Sequence, residues 1–219
     1  MILVPVKDFS TAKQRLAQTL TPEQRRELAR TMFQDVLRAL GAVAPLTAIG
    51  IVTRDPEALR LADEAGFGRI YDGLNAGETE AIEMATQHAI ARGAEFTLVI
   101  PGDAPLVAAS EISLILEAGR RAGTVLAPAA DGQGTNAVFR RPAGLFPLRF
   151  GNHSFVPHLR AAIATQKPVV VFKRPGIALD VDRVADLHAL AQAAGSGASQ
   201  QLVRRWGFGA AAVARAAGF

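Results

Sequence analysis

The feature that most constrains the fold is an apolar run that ends abruptly at an aspartate. Leu98 to Pro101 are all apolar, and Gly102 and Asp103 follow them directly. A run without polar alternation is typical of a strand buried on both faces of a parallel sheet, and proline and glycine end such strands. Asp103 is therefore expected just past the carboxyl end of a central strand, where open α/β sheets bind their ligands.

Strand patterns and helix patterns alternate through the first half of the chain. This order predicts an α/β protein with a parallel sheet and right-handed crossovers. In the second half, two predicted strands follow one another without a helix between them, which indicates an antiparallel element there. The predicted strands are 2–6, 47–53, 69–72, 96–100, 124–128, 135–139 and 168–172.

Polar residues ahead of apolar helical patterns mark the starts of several helices. Thr21 and Gln24 have the spacing of a capping box, which predicts a helix that begins immediately after Thr21. Ser110 and Ser154 are expected to be the N-caps of two later helices. Residues 177–182 are expected to form a short extended piece.

Length and one flexible segment suggest the domain organisation. The chain has 219 residues, of which 49% are hydrophobic, and this suffices for one domain with a sizeable core. Residues 195–199 read Gly-Ser-Gly-Ala-Ser, a composition typical of a flexible linker. We therefore expect a single domain over 1–194, followed by a linker and C-terminal helical tail over 195–219.

Composition argues against several classes of protein. The chain has no cysteine, which excludes disulfides, thiolate metal sites and a cysteine nucleophile. Its apolar runs are too short for a membrane span, and no signal-peptide pattern is recognised, so we expect a cytoplasmic protein. The net charge is +4, but the basic residues are scattered and only 6% of residues are aromatic, which argues against a nucleic-acid partner. A phosphate-rich small substrate explains the positive charge equally well.

Three aspartates are candidate metal ligands. Asp180 and Asp182 are two residues apart in the piece predicted to be extended, so both carboxylates are expected on one face. Like charges on one face repel unless a cation or basic group lies between them. Together with Asp103 they would offer Mg²⁺ the few carboxylate oxygens that it takes from proteins. The alternatives are that Asp103 only forms a turn and that Asp182 only caps the next helix.

The segment after the first predicted strand carries three cations, Lys7, Lys13 and Arg15. It is expected at the same edge of the sheet as Asp103, where its positive charge suits a triphosphate or a pyrophosphate leaving group. The segment contains no glycine, so it is neither a P-loop nor a dinucleotide-binding fingerprint. The alternative is a solvated basic loop.

A candidate anion site lies around Ser154. A helix N-terminus presents free backbone N–H groups to an anion, and Gly151 would let a phosphate approach the backbone closely. Thr135 could supply a hydroxyl group to the same anion. His153 and His158 are interpreted as structural residues, and neither is assigned as a catalytic base.

Taken together, these segments resemble the 2-phospholactate guanylyltransferase family. They occur in the family's order and cover nearly the whole chain to about residue 190. The segments that carry the resemblance are Pro-Val-Lys at 5–7 with Lys-Gln-Arg-Leu at 13–16, Gly-Leu-Asn at 73–75, Pro-Gly-Asp-Ala-Pro-Leu at 101–106, Asp-Gly-Gln-Gly-Thr-Asn at 131–136, Phe-Gly-Asn-His-Ser-Phe at 150–155 with His158, and Leu-Asp-Val-Asp at 179–182 with Ala-Asp-Leu at 185–187.

The resemblance implies an α/β fold with a Rossmann-like mixed, mostly parallel sheet flanked by helices, of the nucleotide-diphospho-sugar transferase type. It also implies transfer of GMP from GTP to the phosphate of a three-carbon acid in coenzyme F-420 biosynthesis, with pyrophosphate released. The acids that the family uses are 2-phospholactate, phosphoenolpyruvate and 3-phosphoglycerate.

The residue roles follow from the same resemblance. Mg²⁺ would be held by Asp103 with one or both of Asp180 and Asp182. The acceptor phosphate would contact Thr135, Gly151 and Ser154, and the GTP phosphates would face Lys7, Lys13 and Arg15. Asn75 would contact the base or the ribose.

Some positions depart from the family pattern. Residues 76–79 read Ala-Gly-Glu-Thr, where the family tends to have small apolar residues, and Gln133 and Asn152-His153 flank the expected acceptor site. These polar side chains suggest a more polar acceptor, such as 3-phosphoglycerate. The alternatives are another nucleotidyltransferase of the same fold, of the molybdopterin or sugar-phosphate type, and a nucleotide-binding protein without catalysis. A homodimer is left open.

Overall fold

The computed structural model describes residues 1–43, 48–73 and 77–209. These residues form a seven-stranded sheet with helices packed against it, in the strand order β3-β2-β1-β4-β6-β5-β7. The strands are β1 (Ile2–Pro5), β2 (Ile49–Thr53), β3 (Gly68–Tyr71), β4 (Thr97–Val99), β5 (Thr124–Pro128), β6 (Thr135–Arg140) and β7 (Val169–Val171). The helices are α1 (Pro22–Gly41), α2 (Pro56–Glu64), α3 (Glu78–Ala91), α4 (Ala109–Ala122), α5 (Phe155–Ala164), α6 (Pro175–Ala178), α7 (Val184–Gln192) and α8 (Ala198–Arg205), and Gln14–Leu16 is a 3₁₀ turn.

The sheet is mixed and mostly parallel, as predicted. β1 runs parallel to both β2 and β4, β2 runs parallel to β3, and β7 runs parallel to β5. β6 lies antiparallel between β4 and β5. The short connection between β5 and β6 explains this arrangement, because a parallel pair would need a long crossover.

Hydrophobic clusters fill both faces of the sheet. One cluster joins the sheet to α1, α2 and α4, and includes Phe33 and Ile112. The cluster on the other face joins it to α3 and α5, and includes Ile82 and Ala162. No helix in the described ranges is long and apolar enough to cross a membrane.

A third hydrophobic cluster lies beside the sheet, where α1, α7 and α8 meet. Leu202 and Val203 of α8 are buried there with Leu28 of α1 and Leu187 of α7. The start of α8 is also fixed, because the carboxylate of Asp35 accepts hydrogen bonds from the backbone N–H groups of residues 198 and 199, at 3.2 and 2.8 Å. The segment that the sequence assigns to a linker and tail therefore packs against the rest of the chain as far as residue 209.

Two local predictions are wrong. Ser110 does not cap α4, because the helix begins two residues earlier than such a cap implies, and its N-cap is Ala108, whose N–H donates to the Glu111 carboxylate at 3.4 Å. Residues 177–182 are not wholly extended, because Pro175 begins the short helix α6. Pro175 was the available signal in the sequence, because proline has the backbone φ of a first helical turn.

Candidate active site

The candidate site lies at the carboxyl ends of β1 and β4, where the strand order reverses direction. Ligands bind at such switch points in open α/β sheets. The backbone N–H of Gly102 donates to the carbonyl of Pro5 at 3.1 Å, which holds the loop after β4 against the end of β1. A Cβ atom at Gly102 would lie 2.8 Å from Cγ2 of Val6, so this close approach requires glycine.

Lys13 lies between two of the predicted carboxylates. Its Nζ is 2.5 Å from Oδ2 of Asp103 and 3.1 Å from Oδ1 of Asp182, and its side chain is only 5% exposed. Burial alone would lower the pKa of this ammonium group, but the charges and hydrogen bonds of the two aspartates outweigh it and raise the pKa. Lys13 has a left-handed backbone with φ of 56°, which is uncommon for residues other than glycine and occurs often at functional sites.

Arg15 joins this centre to the loop before α5. One guanidinium nitrogen is 2.9 Å from Oδ2 of Asp182, and the other donates to Oδ1 of Asn152 at 3.3 Å. Burial raises the pKa of Asp182, but the positive charges of Lys13 and Arg15 outweigh burial and lower it. The Asp182 carboxylate is therefore held ionised, facing two cations.

Asp182 does not cap α7. The Asp186 carboxylate takes that role, because its Oδ2 accepts the backbone N–H groups of Asp182 and Arg183 at 2.9 and 2.7 Å. The side chain of Asp182 is thus left for the site.

Asp180 lies on the same side of its segment as Asp182. Leu179 and Val181 are buried in the third cluster, so the chain alternates between apolar residues in the core and aspartates at the site. Oδ1 of Asp180 accepts a hydrogen bond from Nδ2 of Asn136 at 3.0 Å. The pKa of Asp180 is raised, first by burial and then, against the hydrogen bond from Asn136, by the negative charges of Asp103 and Asp182. The carboxylates therefore lie close enough to repel one another.

Glu78, at the first position of α3, lies at the site although it was not predicted from the sequence. Burial, with the negative charges of Asp103 and Asp182, raises its pKa against the opposing charge of Lys7. Nζ of Lys7 is 3.6 Å from Oε2 of Glu78, and the Lys7 side chain is 76% exposed. The glutamate directly follows Gly77 and begins α3, and its place after a glycine was the available signal.

A second set of polar groups surrounds Thr135. Ser154 Oγ donates to Thr135 Oγ1 at 3.2 Å, and His158 Nδ1 is 3.0 Å from the same oxygen. Ser154 occupies the N-cap position of α5, as predicted, but its side chain makes no capping hydrogen bond. The N–H of Phe155 donates to the carbonyl of Gln133 at 2.9 Å, so this N–H is not free for an anion.

Two cavities meet at the site. The smaller one, of about 300 Å³, is lined partly by apolar residues such as Val6 and Phe9. The larger and more polar one, of about 690 Å³, is lined by Gln133, Gly151 and Asn152 among others. Both are lined by Lys7, Glu78, Pro101, Asp103 and Asp182.

Every predicted site residue within the described ranges lines one or both cavities, and Asn75 lies outside those ranges. Gly151 lines the larger cavity with φ of 120°, a backbone conformation that favours glycine. Across residues 1–43, 48–73 and 77–209, no three His, Cys, Asp or Glu side chains are grouped as a metal site. Instead, two of the predicted metal ligands are paired with Lys13 and Arg15.

Comparison with solved structures identifies the fold. The chain superposes on a crystal structure from Desulfovibrio desulfuricans, described as a nucleotide-diphospho-sugar transferase, with a TM-score of 0.76 and 20% identity over 93% of each chain. It also matches a cytidylyltransferase from Leptospira borgpetersenii with a TM-score of 0.60 and 13% identity, over 93% of this chain and 92% of the other. These likenesses confirm the predicted fold.

Comparison of sequences identifies the family. The phosphoenolpyruvate guanylyltransferase of Sphaerobacter thermophilus is 36% identical over 90% of this chain and 95% of its own length. The 2-phospho-L-lactate guanylyltransferase of Methanothermobacter thermautotrophicus is 33% identical over 84% of this chain and 81% of its own length. The model of the family described as guanylyl transferase CofC like matches residues 1–216. Because this match covers nearly the whole chain, the protein belongs to the CofC-like guanylyl transferase family.

Proposed function

We propose that this protein is a cytoplasmic enzyme of coenzyme F-420 biosynthesis that transfers GMP from GTP to the phosphate of a three-carbon phosphorylated acid. The observation that carries the proposal is the group of lysine, arginine and aspartate side chains where the two cavities meet. Phosphoenolpyruvate is the first acceptor to test, because several relatives carry that name. 3-Phosphoglycerate is the second acceptor to test, because the polar side chains of Gln133 and Asn152 line the larger cavity.

The proposed step is an in-line displacement at the α-phosphorus of GTP. An oxygen of the acceptor phosphate forms the new bond, the bond to the oxygen bridging the α- and β-phosphorus atoms breaks, and pyrophosphate leaves. The acceptor phosphate is already a nucleophile, so the residues mainly have to position the groups and stabilise negative charge. Lys7, Lys13 and Arg15 would contact the GTP phosphates, and Thr135, Gly151 and Ser154 would hold the acceptor phosphate.

The carboxylates at the site fit a Mg²⁺ ion that also binds phosphate oxygens of the substrate. Mg²⁺ usually binds one or two carboxylates together with phosphate oxygens rather than a cage of protein ligands. Asp103 with one or both of Asp180 and Asp182 would hold it. Burial first, and then the negative charges of Asp103 and Asp182, raise the pKa of Asp180, so a bound cation would stabilise its ionised form. When bound, the ion would neutralise charge on the GTP phosphates.

The nucleoside of GTP is assigned to the smaller cavity. Its lining combines the apolar side chains of Val6 and Phe9 with the polar groups of Arg54 and Asp72, a combination that suits a base and ribose. Asn75 keeps its predicted role as a base or ribose contact.

The test is turnover by the purified protein with GTP, Mg²⁺ and each of the three acids. We expect pyrophosphate release with at least one acid, a product whose mass equals that acid joined to GMP, and little turnover when CTP or ATP replaces GTP. Asp103→Asn and Lys13→Met should each lower kcat about 10²- to 10³-fold, since they remove charge at the reacting phosphates.

Two matched substitutions outside the site are the controls. Lys167→Met and Asp63→Asn change an exposed lysine and an exposed aspartate, and both should leave kcat unchanged. A folded wild-type protein that turns over none of the three acids would contradict the proposal. Turnover that survives Asp103→Asn would contradict the assigned role of that residue.

A further inference from the structure

His158 is buried behind the hydroxyl groups of Thr135 and Ser154, and its two ring nitrogens have different partners. Nε2 is 2.8 Å from the backbone nitrogen of Arg149, and Nδ1 is 3.0 Å from Oγ1 of Thr135. A backbone N–H can only donate, so Nε2 must be the acceptor. A neutral imidazole then carries its proton on Nδ1 and donates it to Thr135.

The neutral state of His158 is supported by its surroundings. The side chain is fully buried, and burial together with the positive charge of Arg140 lowers its pKa to about 4. A protonated ring would also place an N–H against the N–H of Arg149, where an acceptor is needed.

The tautomer of His158 determines how many hydroxyl hydrogens remain free among the three hydrogen-bonded groups. The His158 Nδ1–H and the two hydroxyl groups carry three hydrogens, and two hydrogen bonds join the groups. Because His158 donates to Thr135, one hydroxyl hydrogen is left over, on Thr135 when Ser154 donates to it. With the opposite tautomer, Thr135 would donate to His158 and Ser154 to Thr135, and only lone pairs would remain.

We propose that His158 is a positioning residue that leaves one hydroxyl hydrogen of the Thr135–Ser154 pair free to donate to a phosphate oxygen of the acceptor. Both hydroxyl residues line the larger, polar cavity. An ionised phosphate oxygen accepts hydrogen bonds and cannot donate them, so a free donor attracts it, whereas a surface of lone pairs repels it. The identity of the anion rests on the proposed function; the tautomer does not.

Two substitutions of the same size separate a donor from an acceptor beside Thr135. The amide of asparagine reaches about as far as Nδ1 and can donate to Thr135, whereas the carboxylate of aspartate reaches the same place and can only accept, so Thr135 donates to it and no hydroxyl hydrogen is left over. His158→Asp should raise KM for the acceptor about 10- to 100-fold, the usual range for a lost hydrogen bond to a charged group, with little change in KM for GTP. His158→Asn should keep KM for the acceptor within about threefold of wild type.

A double substitution tests whether His158 acts through Thr135. Thr135→Val should raise KM for the acceptor by itself and should add little to His158→Asp, because both changes remove the Thr135 hydroxyl hydrogen from the cavity. Fully additive effects would contradict the relay. So would equal KM values for the acceptor in the asparagine and aspartate variants.

Nitrogen-15 NMR tests the inference without turnover. The ring of His158 should show the neutral Nδ1–H tautomer, and addition of inorganic phosphate should shift the Thr135 and Ser154 resonances in wild type but not in His158→Asp. An Nε2–H tautomer, equal phosphate binding in both proteins, or no phosphate binding by wild type would overturn the inference. If no acid is turned over while the tautomer and phosphate binding are as expected, the proposed function fails and the inference stands.

Discussion

His158 couples the stability of the fold to pH. Its pKa is lowered from 6.5 to about 4, so between these values the unfolded chain binds a proton that the folded chain does not. The free energy of unfolding should therefore fall as the pH decreases through this window, by about 2 kcal/mol between about pH 7 and pH 5 from this residue. Urea unfolding of wild type and His158→Asn at both pH values measures the difference. If the variant loses stability as steeply as wild type, the loss has another source.

For single residues, the sequence predicted which side chains lie at the site but not which of them form ion pairs or hydrogen bonds with one another. Lys13 was expected to face phosphates, and the structure places it between Asp103 and Asp182. That pairing depends on the left-handed backbone of Lys13 and on the distance between three loops, which no local pattern encodes. His158 was interpreted as structural because a lone histidine near a loop usually is. Its partners, Thr135 and Arg149, lie on a strand and a loop that are distant in sequence, so the sequence did not reveal them.

Two glycines in helices allow a prediction about how tightly single helices pack. Gly119 of α4 lies against the ring of Phe139, and an added Cβ would be only 2.5 Å from Cγ of that ring. Gly41, the last residue of α1, would place a Cβ 3.8 Å from the Phe67 ring, an ordinary contact. Gly119→Ala should therefore lower the free energy of unfolding by about 1–3 kcal/mol despite the better helix propensity of alanine.

Gly41→Ala is the matched control. It should be neutral or raise the free energy of unfolding by up to about 1 kcal/mol, since alanine gains helix propensity there without a clash. Chemical denaturation of both variants measures the two effects. A stabilising Gly119→Ala would mean that α4 can move away from β6 at little cost.

Element boundaries were predictable where the signal is local. The capping box of Thr21 and Gln24 is present, with Thr21 Oγ1 accepting the N–H of Gln24 at 3.3 Å. Ser154 was expected to bond to its own helix, but its hydroxyl donates to Thr135, because tertiary contacts compete with local ones for the same side chain. The same reason explains why Asp186 rather than Asp182 accepts the N–H groups at the start of α7.

For the whole molecule, the alternation of strands and helices predicted a mostly parallel sheet. The order of the strands in that sheet could not be predicted from the sequence. β6 inserts between β4 and β5, and nothing in its sequence distinguishes a central position from an edge. The third cluster was equally unpredictable. It contains Leu16, Leu179 and Val181. It therefore anchors the end of the segment that carries the three cations and the segment that carries Asp180 and Asp182.

α8 completes this third cluster, and its docking can be followed by fluorescence. Trp206 is the only tryptophan in the chain and packs against the cluster directly after α8. Because Leu202 and Val203 are buried in the same core, we expect α8 to unfold with the rest of the protein. Tryptophan fluorescence and far-UV circular dichroism should then report the same urea midpoint.

Leu202→Ala tests this coupling. It should lower the free energy of unfolding by about 2–5 kcal/mol, the usual cost of truncating a buried leucine, and should move both midpoints together. Arg205→Ala, an exposed position on the same helix, is the control and should change neither. If the fluorescence midpoint lies at lower urea than the circular dichroism midpoint, the segment after residue 194 is a separate tail. Coincident midpoints would instead make α8 part of the core that holds Asp180 and Asp182 at the site.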